Sequence, residues 1–174
     1  MYLDMMASWD EKLLKAAAEG NIKEVELCIK NRANLECRDL AGRTPLMLAA
    51  WRGHLEVVTY LVTHGSQLGT TDPSGLTPLM LAAWFGHLEV VTYLVTHGSQ
   101  LDATSTYSGQ TALHYAAEVG RIDVTKCLID QGCSPWVKSK LGKTPYDLVT
   151  ISRHCSEEKK EVMDFLKVNN IVLL

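Results

Sequence analysis

The sequence predicts an all-α solenoid, a row of short helix-loop-helix units joined by β-hairpin-like loops, and three observations predict it. The stretch "TPLMLAAWRGHLEVVTYLVTHGSQL" beginning at Thr44 is written again from Thr77 as "TPLMLAAWFGHLEVVTYLVTHGSQL", with Arg52 against Phe85 the only change. The same 33-residue spacing relates Gly20, Gly53 and Gly86, then Gly42 and Gly75, then Gly109 and Gly142. Inside each period two apolar bursts, "LMLAAW" and "LEVVTYLV", flank "RGH" or "FGH". A fixed period of this size marks stacked supersecondary units.

Each burst is about two turns of helix with Leu, Val and Ala along one side. Thr44 and Thr77 precede Pro45 and Pro78. A Thr N-cap accepts from the free amides of the first turn, and Pro at the first helical position strands no amide. Gly53 and Gly86 are placed to end the first helices in the left-handed conformation, and Gly65 and Gly98 the second. Helices this short do not hold alone, so their stability must come from a packed face, which stacking supplies.

The stretch "GRTPLMLAAWRGHLEVVTYLVTHGSQL" resembles the ankyrin repeat, and the resemblance covers nearly the whole chain in five units, at about 9–37, 38–70, 71–103, 104–137 and 138–168. Residues 1–8 then form an N-terminal extension and 169–174 a tail. The first unit lacks the Thr-Pro start, as expected of a cap that exposes one side. The fourth starts at Thr111-Ala112 and carries the family's His at His114, where the middle units have Met47 and Met80. Leu68 to Gly75 is one residue shorter than Leu101 to Gly109, so the hairpin before the fourth unit should protrude further and carry Tyr107. The fifth unit aligns only with extra residues around "SRHCS", which implies a longer loop there. Ser156 reads as an N-cap with Glu157 and Glu158 in the first turn of the final helix. The apolar Ile171 to Leu174 read either as a cover for the open face of the last pair, which is the favoured reading, or as a truncation edge or a short ligand-like tail.

Composition narrows the function. With 174 residues and 47% hydrophobic content, the chain supports one domain with a sizeable core. A formal charge of −3 with scattered basic residues gives no attraction to nucleic acid or anionic lipid. The apolar runs fall far short of the roughly 18 residues a membrane span needs. The segment "MYLDMMASWDEK" has neither a basic region nor a continuous apolar one, so no secretory signal is indicated, and a cytoplasmic or nuclear setting is expected. The five cysteines are odd in number and show no C-x-x-C spacing, which reads as reduced thiols. Cys28 and Cys127 sit at apolar helix positions, where a thiol packs as a small hydrophobe. His64, His97 and His154 have no neighbours at zinc spacing, and no phosphate or dinucleotide loop occurs, so neither metal, cofactor nor catalytic chemistry is expected. A Cys/His enzyme would need a set of convergent groups that the sequence does not display.

The resemblance implies that hairpin tips and the inner faces of the first helices line a concave groove, while Leu48, Ala49, Val58 and Leu61 are buried between units. It also implies that the side chains of His54 and His87 hydrogen-bond loop backbone and steady the helix-loop-helix turn. The two near-identical units differ mainly at positions expected on that groove. Repeated text is therefore read as stacking scaffold and edited text as recognition surface, whether the copy arose by internal duplication or by engineering of a binding scaffold. In the second unit the surface takes Leu40, Arg43, Trp51 and Arg52, and in the third Pro73, Leu76, Trp84 and Phe85. In the fourth it takes Tyr107, Gln110, Glu118 and Val119. Trp, Tyr and Arg dominate binding hot spots because they combine large area with a polar handle. Trp9 reads as a cap residue and Trp136 as a brace for the last hairpin. The expected function is a non-catalytic interaction module, monomeric alone, that holds a protein or peptide in the groove.

Overall fold

The computed structural model describes residues 8–151 and 156–171. Among them are ten helices and no strand: α1 (Trp9–Glu19), α2 (Ile22–Lys30), α3 (Pro45–Arg52), α4 (Leu55–Thr63), α5 (Pro78–Phe85), α6 (Leu88–Thr96), α7 (Ala112–Val119), α8 (Ile122–Asp130), α9 (Pro145–Ile151) and α10 (Glu157–Ile171). Successive pairs make five units. The first helices α1, α3, α5, α7 and α9 stack in order, and the second helices follow beside them less closely. Alanines explain the difference: Ala49, Ala50, Ala82, Ala83, Ala116 and Ala117 are all solvent-free, and small contact residues let helix axes approach. A row tighter on one side bends toward that side.

The caps form as the sequence predicts. Thr44 Oγ1 accepts from the Met47 amide at 3.3 Å and Thr77 Oγ1 from that of Met80 at 3.2 Å. In the fifth unit Asp147 completes the box: its carboxylate accepts from the Thr144 amide at 2.8 Å, and the Asp147 amide donates to Thr144 Oγ1. Leu48, Ala49, Val58 and Leu61 are buried, and the last three share one core with Leu46, Leu79, Leu94, Leu113 and Leu128. Each such leucine removed from water contributes about 1.5–3 kcal/mol. Trp9 packs half-buried on the first-unit core, while Trp136 remains 42% exposed.

The "GH" histidines bond helix backbone of the preceding unit, where loop backbone was expected. His54 Nε2 lies 3.1 Å from the Ala18 carbonyl oxygen, and His87 Nε2 lies 2.9 Å from that of Trp51, so each ring reaches the last turn of the preceding first helix. Helix C-termini leave carbonyls unsatisfied, and the next unit supplies the donor. Gly53, at φ 78°, makes room: a Cβ there would run into the His87 ring. In the fourth unit Arg121 takes the histidine's place, its Nε donating to the Trp84 carbonyl at 3.4 Å.

The hairpin tips are closed turns without a strand ladder. Asp39 Oδ1 accepts from the amides of Ala41 and Arg43, and Asp72 Oδ1 repeats this with Ser74 and Leu76. In the third tip the inserted residue widens the turn: the Gly109 amide reaches the Ser105 carbonyl, where Gly42 in the shorter tip reaches Asp39. Tyr107 stands on that wider tip, 76% exposed, as expected. The tips are laced together by the Thr106 amide on the Ser74 carbonyl and the Lys140 amide on that of Ser108, both at 2.9 Å.

At the C-terminal end α9 stops at Ile151 and α10 starts after Ser156, whose Oγ accepts from the Lys159 amide at 3.3 Å. The expected longer loop around "SRHCS" falls largely on 152–155, outside the described residues, as do His154, Cys155 and residues 1–7. The α10 backbone runs to Ile171, into the expected tail, and the apolar side chains of Ile171 to Leu174 lie outside the described residues.

Candidate binding surface

Units two and three allow a direct comparison of edited and conserved text within one molecule. Between 38–70 and 71–103 the pairs that differ are Arg38/Thr71, Leu40/Pro73, Ala41/Ser74, Arg43/Leu76, Arg52/Phe85, Gly69/Asp102 and Thr70/Ala103. None of these residues is buried in either copy, whereas the buried residues of the two units are the same types. The interior is under packing constraint, where even one methylene is felt. The exterior is where this chain varies.

The edits at Arg52 and Phe85 lie within an aromatic ridge that crosses three units. Trp51 and Phe85 meet edge to face with ring centroids 5.8 Å apart. Phe85 lies 6.0 Å from Trp84, and Trp84 stacks on Tyr115 at 5.1 Å with 21° between planes. Trp84 is 39% and Phe85 42% exposed, while Trp51 is half-buried. The bare faces belong to unit three, because the Trp51 ring already carries two cations: the Arg52 guanidinium carbon at 4.4 Å and that of Arg43 at 4.8 Å from its centroid.

Tyr115 is a member of the ridge that sequence reasoning missed. It occupies the position of Leu48 and Leu81, read as interior, and it is indeed 8% exposed. Its hydroxyl lies 3.4 Å from Ser108 Oγ, which ties the ridge to the third hairpin tip. The available signal was the change from Leu to Tyr at one register position.

Arg43, one of the residues expected on the recognition surface, holds its charge in a pair. Its Nε donates to Asp39 Oδ2 at 2.9 Å, and its terminal nitrogen lies 2.7 Å from the same oxygen. Burial alone would raise the Asp39 carboxyl, but the Arg43 amide and guanidinium outweigh it and hold the group below its ordinary value. Arg43 therefore shapes its own hairpin and braces Trp51. Of the other expected positions, Leu40 and Pro73 stand exposed on two hairpin tips, with Tyr107 on a third. Leu76 is half-buried against the core and Val119 half-buried at the end of α7. Gln110 and Glu118 are brought together, the amide donating to the carboxylate at 3.1 Å.

Residues 13–62 match a family model described as ankyrin repeats (many copies), and residues 65–139 one described as ankyrin repeats (3 copies). The chain belongs to the ankyrin-repeat family. No curated protein matches it significantly. Ankyrin repeats are in general protein–protein interaction modules.

Among the described residues of this ankyrin stack, metal-ligating groups are dispersed. Burial, with Asp10 adding to it, pushes the Cys37 thiol up to about 12, and burial pushes Cys133 up to about 11. Thiols held protonated are poor nucleophiles. Among the described residues no group of three His, Cys, Asp or Glu side chains is placed to hold a metal ion, and no helix is long and apolar enough to cross a membrane.

Proposed function

We propose that this ankyrin stack is a non-catalytic adaptor that holds a protein or peptide partner on the face formed by its first helices and hairpin tips. The observation that carries this reading is the confinement of all the edits between the twin units to unburied positions, with the largest change, Arg52 to Phe85, in the middle of a contiguous aromatic ridge. Preorganisation is the physical mechanism. Caps, inter-unit histidine bonds and laced tips fix the ridge before a partner arrives, so little ordering entropy opposes binding. Trp84 and Phe85 act as anchors that lose water on contact, and Arg52 adds a charge at the rim. In this reading the stack works as a monomer inside the cell, in cytoplasm or nucleus, where unpaired cysteines persist as thiols.

The twin units supply the test. Phe85→Arg gives unit three the residue that unit two already holds at Arg52, so the thermal melt should move little. Affinity capture from lysate should lose its specific partner with this variant and with Trp84→Ala. Partner capture unchanged by both substitutions would move the binding site away from the ridge.

A further inference from the structure

The ridge is bordered by unlike charges. At its Trp51 end Arg52 is exposed, its guanidinium over the indole and without a carboxylate partner among the described residues. Arg38, also exposed, gives one nitrogen to the carbonyls of Gly42 and Thr71, at 2.6 and 2.8 Å, and neutral carbonyls leave its charge uncancelled. The carboxylate on that hairpin, Asp39, is already committed to Arg43. At the other end Glu118 stands in unit four where Trp51 and Trp84 stand in units two and three. It is exposed, and its one bond among the described residues is to the neutral Gln110 amide. It follows Tyr115 by one helical turn, and so flanks the end of the ridge.

Helix axes packed through small residues lie about 8–10 Å apart, so α3 and α7, two steps along the stack, are separated by roughly 20 Å. An extended chain covers that span in about six residues at ~3.3 Å each. Resting on the adaptor reading above, we infer that the groove takes an extended segment with a carboxylate at one end, a cation about six residues away, and apolar side chains between them. The carboxylate meets Arg52 and Arg38, the apolar side chains cover Trp84 and Phe85, and the cation meets Glu118.

The test uses the full chain and fluorescent synthetic peptides sharing one leucine- and proline-containing apolar stretch, with end residues glutamate/lysine, glutamine/glutamine, glutamate/glutamate or lysine/lysine at that spacing. The glutamate/lysine peptide should bind about tenfold more tightly than the glutamine/glutamine one at low salt, since each exposed pair contributes a few-fold, and the difference should collapse at high salt. Glu118→Arg should move the preference to the glutamate/glutamate peptide, and Arg52→Glu should weaken that peptide. Equal binding of mixed-charge and neutral peptides would overturn the charge assignment while leaving the groove reading intact. Mixed-charge binding unaffected by Trp84→Ala would overturn both. Absence of binding by every peptide, or self-association abolished by Phe85→Arg, would overturn the inference, the latter because the occupant is then a second copy of the chain.

Discussion

His114, buried in the fourth unit, sets its Nε2 3.0 Å from the carbonyl oxygen of Lys143 in the fifth. The Thr111 amide donates to His114 Nδ1 at 3.2 Å, so Nδ1 is the bare nitrogen and Nε2 carries the proton that Lys143 accepts. One ring thus ties the start of its own helix to the next hairpin. Units two and three place Met47 and Met80 in the same register, also buried, and a thioether has no proton to donate.

Met47→His should therefore raise stability. The carbonyl in register is that of Leu76, as far along the chain from Met47 as Lys143 is from His114. A net intramolecular hydrogen bond contributes about 1 kcal/mol. The urea midpoint should rise accordingly, and His114→Met should lower the unfolding free energy by about 1–2 kcal/mol through loss of the existing bonds. A lower midpoint for Met47→His would show that the middle units have no room for the ring.

Stability should fall in two separate steps as the solution is acidified. Burial holds the His114 imidazole below its ordinary value, against the pull of the Lys143 carbonyl. The unfolded chain then takes up a proton below about pH 6.5 that the folded chain refuses, so stability is full above that value and declines below it. The sign is the reverse of a histidine stabilised by a carboxylate. Asp147, held low by the Thr144 amide and hydroxyl, and Asp39, held low by Arg43 against its burial, act in the other window. Their contributions are present above about pH 3.9 and disappear as pH falls through their depressed values. Urea midpoints measured across this range should show the upper step vanish in His114→Met and the lower step persist.

The stack was legible in the sequence because its determinants are local or strictly periodic. Thr44 and Pro45 announce a helix start wherever they occur, and the copied glycines announce the helix ends. The contacts between units were less legible. His54 bonds a carbonyl 36 residues away, and nothing in its immediate neighbours distinguishes a ring that turns back on its own loop from one that reaches the preceding unit. The same limit hid the Asp39–Arg43 pair, since a tip can present an arginine outward or fold it onto an aspartate four positions before it. Tyr115 escaped notice because register alone placed it with Leu48 and Leu81, and a tyrosine can keep its body in the core while one face meets Trp84.

Relieving one strained residue should also stabilise the cap unit. Arg32 adopts φ 62° where the later units have Gly65, Gly98 and Gly132. The left-handed region costs a residue with a Cβ about 1–2 kcal/mol, partly offset because glycine loses more freedom on folding. Arg32→Gly should therefore gain about 0.5–1 kcal/mol in urea unfolding. Gly53→Ala should lose about 2–4 kcal/mol, because it adds backbone strain and displaces the His87 ring from the Trp51 carbonyl. Equal effects of Gly53→Ala and Gly65→Ala would remove the ring from the argument, since a Cβ at Gly65 meets open space.

Ser66 and Ser99 are the clearest places where copied text carries a cost. Both are buried, at 5% and 8% exposure, and neither Oγ has a hydrogen-bond partner among the described residues. The corresponding residue is Ala33 in the first unit and Cys133 in the fourth, so the site accepts a small apolar side chain. A buried hydroxyl without a partner loses its bonds to water and gains nothing in return, at a cost of about 1–3 kcal/mol. Ser66→Ala and Ser99→Ala should each raise unfolding free energy by about 1 kcal/mol, the cavity left by one oxygen taking back part of the gain. The sites lie one unit apart with no shared partner, so the double variant should gain about the sum. A decrease for either alanine would mean that the hydroxyl does find a partner in solution, and the copied serine would then be part of the scaffold.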